Sequence, residues 1–132
     1  MESRERLLLE LRGNTIGLIN EQSSAEEHFQ NKTLRPILKL QNDLFVEVFI
    51  NYAKKQKSDF FKLSPDKKMV YIENTIQRDI KFRNSLKGMI IGLFTLQEYY
   101  DYTKNSSNIN KRMMNLLIER LKNQVLLLET TP

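Results

Sequence analysis

Residues 64–94 read Ser64-Pro65-Asp66-Lys67-Lys68-Met69-Val70-Tyr71-Ile72-Glu73-Asn74-Thr75-Ile76-Gln77-Arg78-Asp79-Ile80-Lys81-Phe82-Arg83-Asn84-Ser85-Leu86-Lys87-Gly88-Met89-Ile90-Ile91-Gly92-Leu93-Phe94, and this stretch decides the fold. Serine followed by proline is a helix start: the hydroxyl accepts a free backbone N–H, and proline suits the first helical position because no N–H is needed there. Met69, Ile72, Ile76, Ile80, Arg83, Leu86, Ile90 and Phe94 then recur three or four apart, the spacing of one helix face. The pattern predicts one long helix near 65–93, about 29 residues or about 43 Å at 1.5 Å per residue.

The same period extends outward in both directions. Thr95-Leu96-Gln97-Glu98 is a capping box that predicts a short helix to Thr103. After a turn at 105–108, Ile109, Met113, Leu116, Leu117, Leu121, Val125 and Leu128 define a last helix. On the other side, Lys54 to Leu63 reads as a basic connection with Phe60-Phe61 tucked into the core. Ile37 to Gln56 reads as a helix, and Leu44 to Ile50 is apolar nearly all round except at Glu47. Such a helix is central, or is buried against a second subunit as well.

Pro36 predicts a break or kink near Leu34, with Thr33 as an alternative cap. Ser23 and Ser24, three residues before Glu26 and Glu27, predict a helical start running through Phe29. A first helix is expected over Ser3–Asn20, with Leu8, Leu11, Thr15, Leu18 and Ile19 on its stripe and a weak point at Gly13-Asn14. Residues 129–132 are expected to fray. No run alternates strictly between apolar and polar residues, and no repeat occurs. The expectation is an all-α single domain, residues 1–132, built as a compact bundle of about five to six helices, mostly antiparallel.

The chain has 132 residues and no cysteine, which excludes disulfides, thiolate nucleophiles and cysteine–zinc sites. Leu7-Leu8-Leu9 is cut short by Glu10 and Arg12, so no secretory signal forms. The longest apolar region, 88–96, is far below the ~20 residues that span a bilayer. A cytoplasmic chain is expected. The formal charge is +5, and it is concentrated in the middle: residues 54–87 hold ten Lys/Arg against four Asp/Glu. Such a segment attracts nucleic acid, an acidic partner or anionic lipid, or is simply a solvated face.

The motif search gives no catalytic assignment. The one histidine, His28, cannot build a multi-histidine metal site or the paired Glu-x-x-His arrangement of a di-metal bundle. No phosphate-binding glycine loop, zinc-protease motif or nucleophile elbow occurs. No cofactor, metal or catalytic residue is assigned.

Two polar clusters are candidate ligand sites. Arg35, Lys39 and Asn42 are four and three apart. Asp79 and Arg83 form an i,i+4 pair, with Arg83 on the apolar stripe. Together they suggest a pocket for a small anion, an interhelical polar network with Asn42 and Asp43, or ordinary helix pairing. Gly88 and Gly92, four apart, suggest close approach of another helix, including one across a homodimer. Met69, Met89, Met113 and Met114 read as core fillers. For nucleic acid, the candidates are Lys54, Lys55, Lys57, Lys67 and Lys68 in the basic segment. Residues 95–128 add a helix-turn-helix outline, with Asn108, Asn110, Lys111, Arg112 and Asn115 opening the second helix.

The stretches Ser23-Ser24-Ala25-Glu26-Glu27 to Leu34-Arg35-Pro36-Ile37-Leu38-Lys39, and Asp79-Ile80-Lys81-Phe82-Arg83-Asn84-Ser85-Leu86-Lys87-Gly88, resemble a family of short, uncharacterised bacterial proteins, over most of the chain. Some members carry the label "glyoxalase". That label implies a metal-dependent βαβββ fold with histidine and glutamate ligands. This chain departs from it in having one histidine and no strand pattern. The resemblance implies a small helical protein and transfers no functional residue. The leading expectation is a non-catalytic binding or interaction protein that forms a homodimer. A nucleic-acid-binding regulator and an atypical enzyme or small-anion binder are the alternatives.

Overall fold

A computed structural model of the chain describes residues 3–17 and 24–128. Its elements are α1 (Arg4–Arg12), α2 (Ala25–Phe29), a π-helical turn (Gln30–Leu34), α3 (Arg35–Leu40), α4 (Asn42–Lys55), α5 (Pro65–Arg78), α6 (Ile80–Ile91), α7 (Leu96–Lys104) and α8 (Ser106–Lys122). Short 3-10 turns lie at Phe60–Lys62 and Val125–Leu127. The protein is all-α, with no strand among the described residues. Its described residues form more helices than the five or six expected because two predicted segments, 37–56 and 65–93, are each divided in two.

The first helix stops at Arg12. Gly13 takes φ +75°, a conformation glycine adopts without cost, and its N–H closes on the Leu9 carbonyl. Leu8 is buried but Leu11 is exposed, which removes Leu11 from the expected stripe. The candidate positions Leu18, Ile19 and Ser23, and the tail 129–132, lie outside the described residues.

The predicted helix near 65–93 is two helices meeting at Asp79, whose ψ of 92° leaves the helical region. Asp79 caps α6 by accepting the Phe82 N–H at 3.0 Å, and it also accepts the Tyr52 hydroxyl. An unbroken helix would have given up both bonds.

At Pro36 the helical path is not interrupted. The preceding turn widens so that the Arg35 N–H reaches back five residues to the Gln30 carbonyl. Proline supplies no N–H for the Lys32 carbonyl, and Arg12 Nη2 takes that carbonyl instead, at 3.3 Å. Thr33 is no helix cap; its hydroxyl donates to Glu98 at 2.5 Å. The chain bends once more at Gln41, between α3 and α4.

The local start signals at Ser24, Ser64 and Thr95 all cap helices, and Thr95–Glu98 forms the complete reciprocal box. The core is one continuous cluster. α5 lies against α8, α6 and the Val125–Leu127 turn, while α8 also meets α6 and α7. Phe49 is fully buried on α4, with edge-on contacts to Phe60 and Tyr71 and a tilted contact to Phe82. Met113 and Met114 are buried in this cluster, and Met69 and Met89 pack partly buried against it. No helix among the described residues is long and apolar enough to cross a membrane.

Candidate functional site

α8 carries the site. By its 3.6-residue period, Ser107, Lys111, Met114, Asn115 and Ile118 share one flank, while Leu116, Glu119, Arg120 and Asn123 share the other. Each flank borders a separate cleft.

The first cleft, about 350 Å³, lies where α6 and the end of α5 face α8. Arg83 and Lys87 come from α6, and Lys111 from α8. Gln77, Ser107, Asn110 and Asn115 add amides and a hydroxyl. The floor is apolar: Ile76, Met114 and Ile118 are buried. No carboxylate lines this cleft. Among the described residues Arg83 makes only a long bond, 3.4 Å, to the Gln77 carbonyl, and none of the three cations has a carboxylate within 4.0 Å. Three like charges are thus held over a low-dielectric floor without a counter-charge, and their mutual repulsion favours an anion between them.

The second cleft, about 420 Å³, lies between α3 and the C-terminal end of α8, and is lined by Arg35, Leu38, Leu116, Glu119, Arg120, Asn123 and Gln124. Arg35 Nε donates to Asn31 Oδ1 at 2.9 Å. Arg120 Nη1 reaches Asn42 Oδ1 at 3.4 Å. Asn42 and Gln124 exchange two amide hydrogen bonds, at 2.6 and 2.7 Å.

A larger cavity, about 740 Å³, includes Leu9, His28, Phe29, Thr33, Glu98 and Asp101 in its lining. Its carboxylate Glu98 is already met by Arg12 at 2.6 Å. Burial pushes the Glu98 carboxyl up, but bonds from Arg12, Thr33 and the Thr95 N–H outweigh it and hold the group below its ordinary range. His28 lines the same cavity, and no three His, Asp or Glu side chains gather to hold a metal among the described residues.

The structure therefore divides the five candidate ligand residues. Arg83 borders the first cleft, Arg35 the second, and Asn42 braces the second. Lys39 is exposed on α3 and borders neither. Asp79 does not pair with Arg83; the Tyr52 hydroxyl and then the Phe82 N–H hold its carboxyl below the ordinary range. The expected network joining Asp79 and Arg83 to Asn42 is not present, because Asn42 bonds to Gln124, Arg120 and Asp43.

Among the nucleic-acid candidates, Lys54, Lys55, Lys57 and Lys67 are exposed. Lys68 is not: it is 4% exposed, with its ammonium 5.5 Å from the Phe60 ring centroid. Burial over an aromatic face removes it from any solvent-facing basic surface. The helix-turn-helix outline is altered too. A single residue, Asn105, joins α7 to α8, and Asn105, Asn108 and Arg112 all bond Glu26 on α2. Lys111 alone of that basic pair faces a cleft.

Gly88 is exposed and a side chain there would meet nothing within 4 Å, so no other helix among the described residues approaches it. Arg120 and Gln124 were missed by sequence reasoning. Their only sequence signal is a cation and an amide four apart near a helix end, which is common on any solvated helix.

The chain matches no protein-family model, no curated protein and no solved structure.

Proposed function

We propose that this chain is a non-catalytic binding protein whose α6–α8 cleft takes a phosphate-bearing ligand. The observation that carries this reading is the set Arg83, Lys87 and Lys111 facing one cleft of about 350 Å³ with no carboxylate in its lining. Three cations supply charge, and arginine adds a planar fork that matches phosphate oxygens. Ser107, Asn110 and Asn115 supply neutral polar groups that orient a ligand, while Asn110 is itself fixed by the Tyr102 hydroxyl at 2.7 Å. Among the described residues no carboxylate or histidine lines this cleft to act as a general base, which favours binding over turnover.

Calorimetric titration with pyrophosphate, and separately with a single-stranded oligonucleotide, tests the reading at two salt concentrations. Binding that weakens with salt and is lost in the triple variant Arg83→Gln/Lys87→Gln/Lys111→Gln, with helicity unchanged by circular dichroism, supports it. Equal binding by the triple variant, or no binding of either probe at low salt, removes it. A steep salt slope with the oligonucleotide alone favours a nucleic-acid ligand.

Self-association is a second reading with one observation in its favour: Gly88 leaves the outer side of α6 open to a neighbouring helix. Sedimentation showing a monomer throughout a wide concentration range counts against it.

A further inference from the structure

We propose a second ligand site, independent of the first, in which Arg35 and Arg120 together bind a compact dianion. The two arginines stand on different helices and line the same cavity of about 420 Å³. Each is met by neutral side chains: Arg35 by the Asn31 amide at 2.9 Å, Arg120 by the Asn42 amide at 3.4 Å. Glu119 is on the cavity wall, but its carboxylate is 4.0 Å from Lys122 and is within ion-pair distance of neither arginine. Two positive groups in one partly buried cavity repel each other, and an anion bound between them relieves that repulsion.

The arrangement is also braced. Asn42 and Gln124 exchange paired amide bonds, and Gln124 Nε2 binds the Arg120 carbonyl at 2.8 Å. Asn31, on the π-helical turn, accepts from Arg35 one helical turn away. Groups held in this way lose little conformational freedom when a ligand arrives. Burial, and then the Arg35 charge, act against the charged form of Arg120, and an anion between the two arginines offsets their repulsion.

The chemistry defines the ligand class. Two guanidinium forks offer about two positive charges and several N–H donors, which suits a phosphate monoester or a short dicarboxylate. Leu38 and Leu116 form an apolar wall for the carbon part of the ligand. The volume is within the roughly 300–1,000 Å³ typical of small-molecule pockets.

The test is an NMR titration of the full chain that follows the Arg Nε–H resonances. The probes are inorganic phosphate and succinate, with acetate as the monoanion. Saturable shifts of Arg35 and Arg120 with phosphate or succinate, tighter than with acetate, are expected. Which dianion binds more tightly identifies the phosphate or carboxylate class. Arg120→Gln is expected to weaken binding at least tenfold. It should also keep or raise the thermal midpoint without ligand, because the repulsion is gone. The first-cleft variant Arg83→Gln/Lys87→Gln/Lys111→Gln is expected to bind succinate as the wild type does, which separates failure of this site from failure of the other. Absence of shifts with both dianions, or Arg35→Gln and Arg120→Gln binding as tightly as the wild type, overturns the proposal.

Discussion

Arg12 and Glu98 close a two-pronged ion pair across the fold, Nη1 to Oε1 at 2.6 Å and Nη2 to Oε2 at 2.7 Å. The same carboxylate accepts the Thr95 N–H at 2.8 Å and the Thr33 hydroxyl at 2.5 Å. One group therefore caps α7, holds the π-helical turn and anchors α1. Arg12→Ala leaves Glu98 half-buried without its cation and is expected to cost about 3–5 kcal/mol, as for other broken buried pairs. Urea unfolding measures it. A change within the scatter of a surface mutation means that the pair contributes little.

Acid should weaken the fold through the same carboxylate. The folded Glu98 pKa lies below its ordinary 4.5. A depressed folded value contributes stability above the unfolded pKa, and that contribution is lost as pH falls through the folded value. Stability is therefore expected to be flat near neutrality and to drop below about pH 4.5. Glu98→Gln, although less stable at pH 7, should show a shallower acid limb in denaturation midpoints taken between pH 7 and pH 3. An acid limb as steep as the wild type's would assign the effect to other carboxylates.

The α5–α6 junction has its own test. Asp79→Asn keeps a side-chain oxygen for the Phe82 N–H, whereas Asp79→Ala loses the cap and the Tyr52 partner together. The alanine variant is expected to be the less stable of the two. Hydrogen exchange should localise the loss to the first turn of α6. Equal stability of the two variants is incompatible with capping by this group.

Gly17 sits at φ +99°, and a Cβ there would stand 2.8 Å from the Asn31 side chain. Gly17→Ala is expected to cost roughly 1–3 kcal/mol from backbone strain. Because Asn31 holds Arg35, the variant should also shift the Arg35 Nε–H resonance. A stable variant with an unmoved resonance would show that Asn31 does not relay the change.

The features legible in the sequence were the local ones. Ser64-Pro65 and Thr95–Glu98 announce helix starts because donor and acceptor lie within four residues. Phe60 entered the core as expected because it is a large apolar side chain in a basic stretch. Asp79 hid its break: Ile76, Ile80 and Arg83 keep the helical period through it, and its partner Tyr52 is 27 residues away. Gly13 was a visible stop signal that the continuing apolar spacing overruled. At the sites, Arg35, Arg83 and Lys111 could be picked out by charge. Which cleft each faces depends on contacts such as Asn42–Gln124, 82 residues apart, which periodicity does not encode.

Pro36 has a consequence for which residues are exchangeable. It withholds a hydrogen from the Lys32 carbonyl, and Arg12 supplies one from α1. Leu7, Leu9 and Leu11 remain largely in solvent, so polar bonds from Arg4 and Arg12, the one to the Lys32 carbonyl among them, help to seat α1 beside the buried Leu8. An N–H-bearing residue at position 36 would let helix 25–40 complete itself and leave Arg12 Nη2 with Glu98 Oε2 as its remaining partner, at 2.7 Å. Substitutions at 12 and 36 are therefore expected to be non-additive: the second change should cost less once the first has been made.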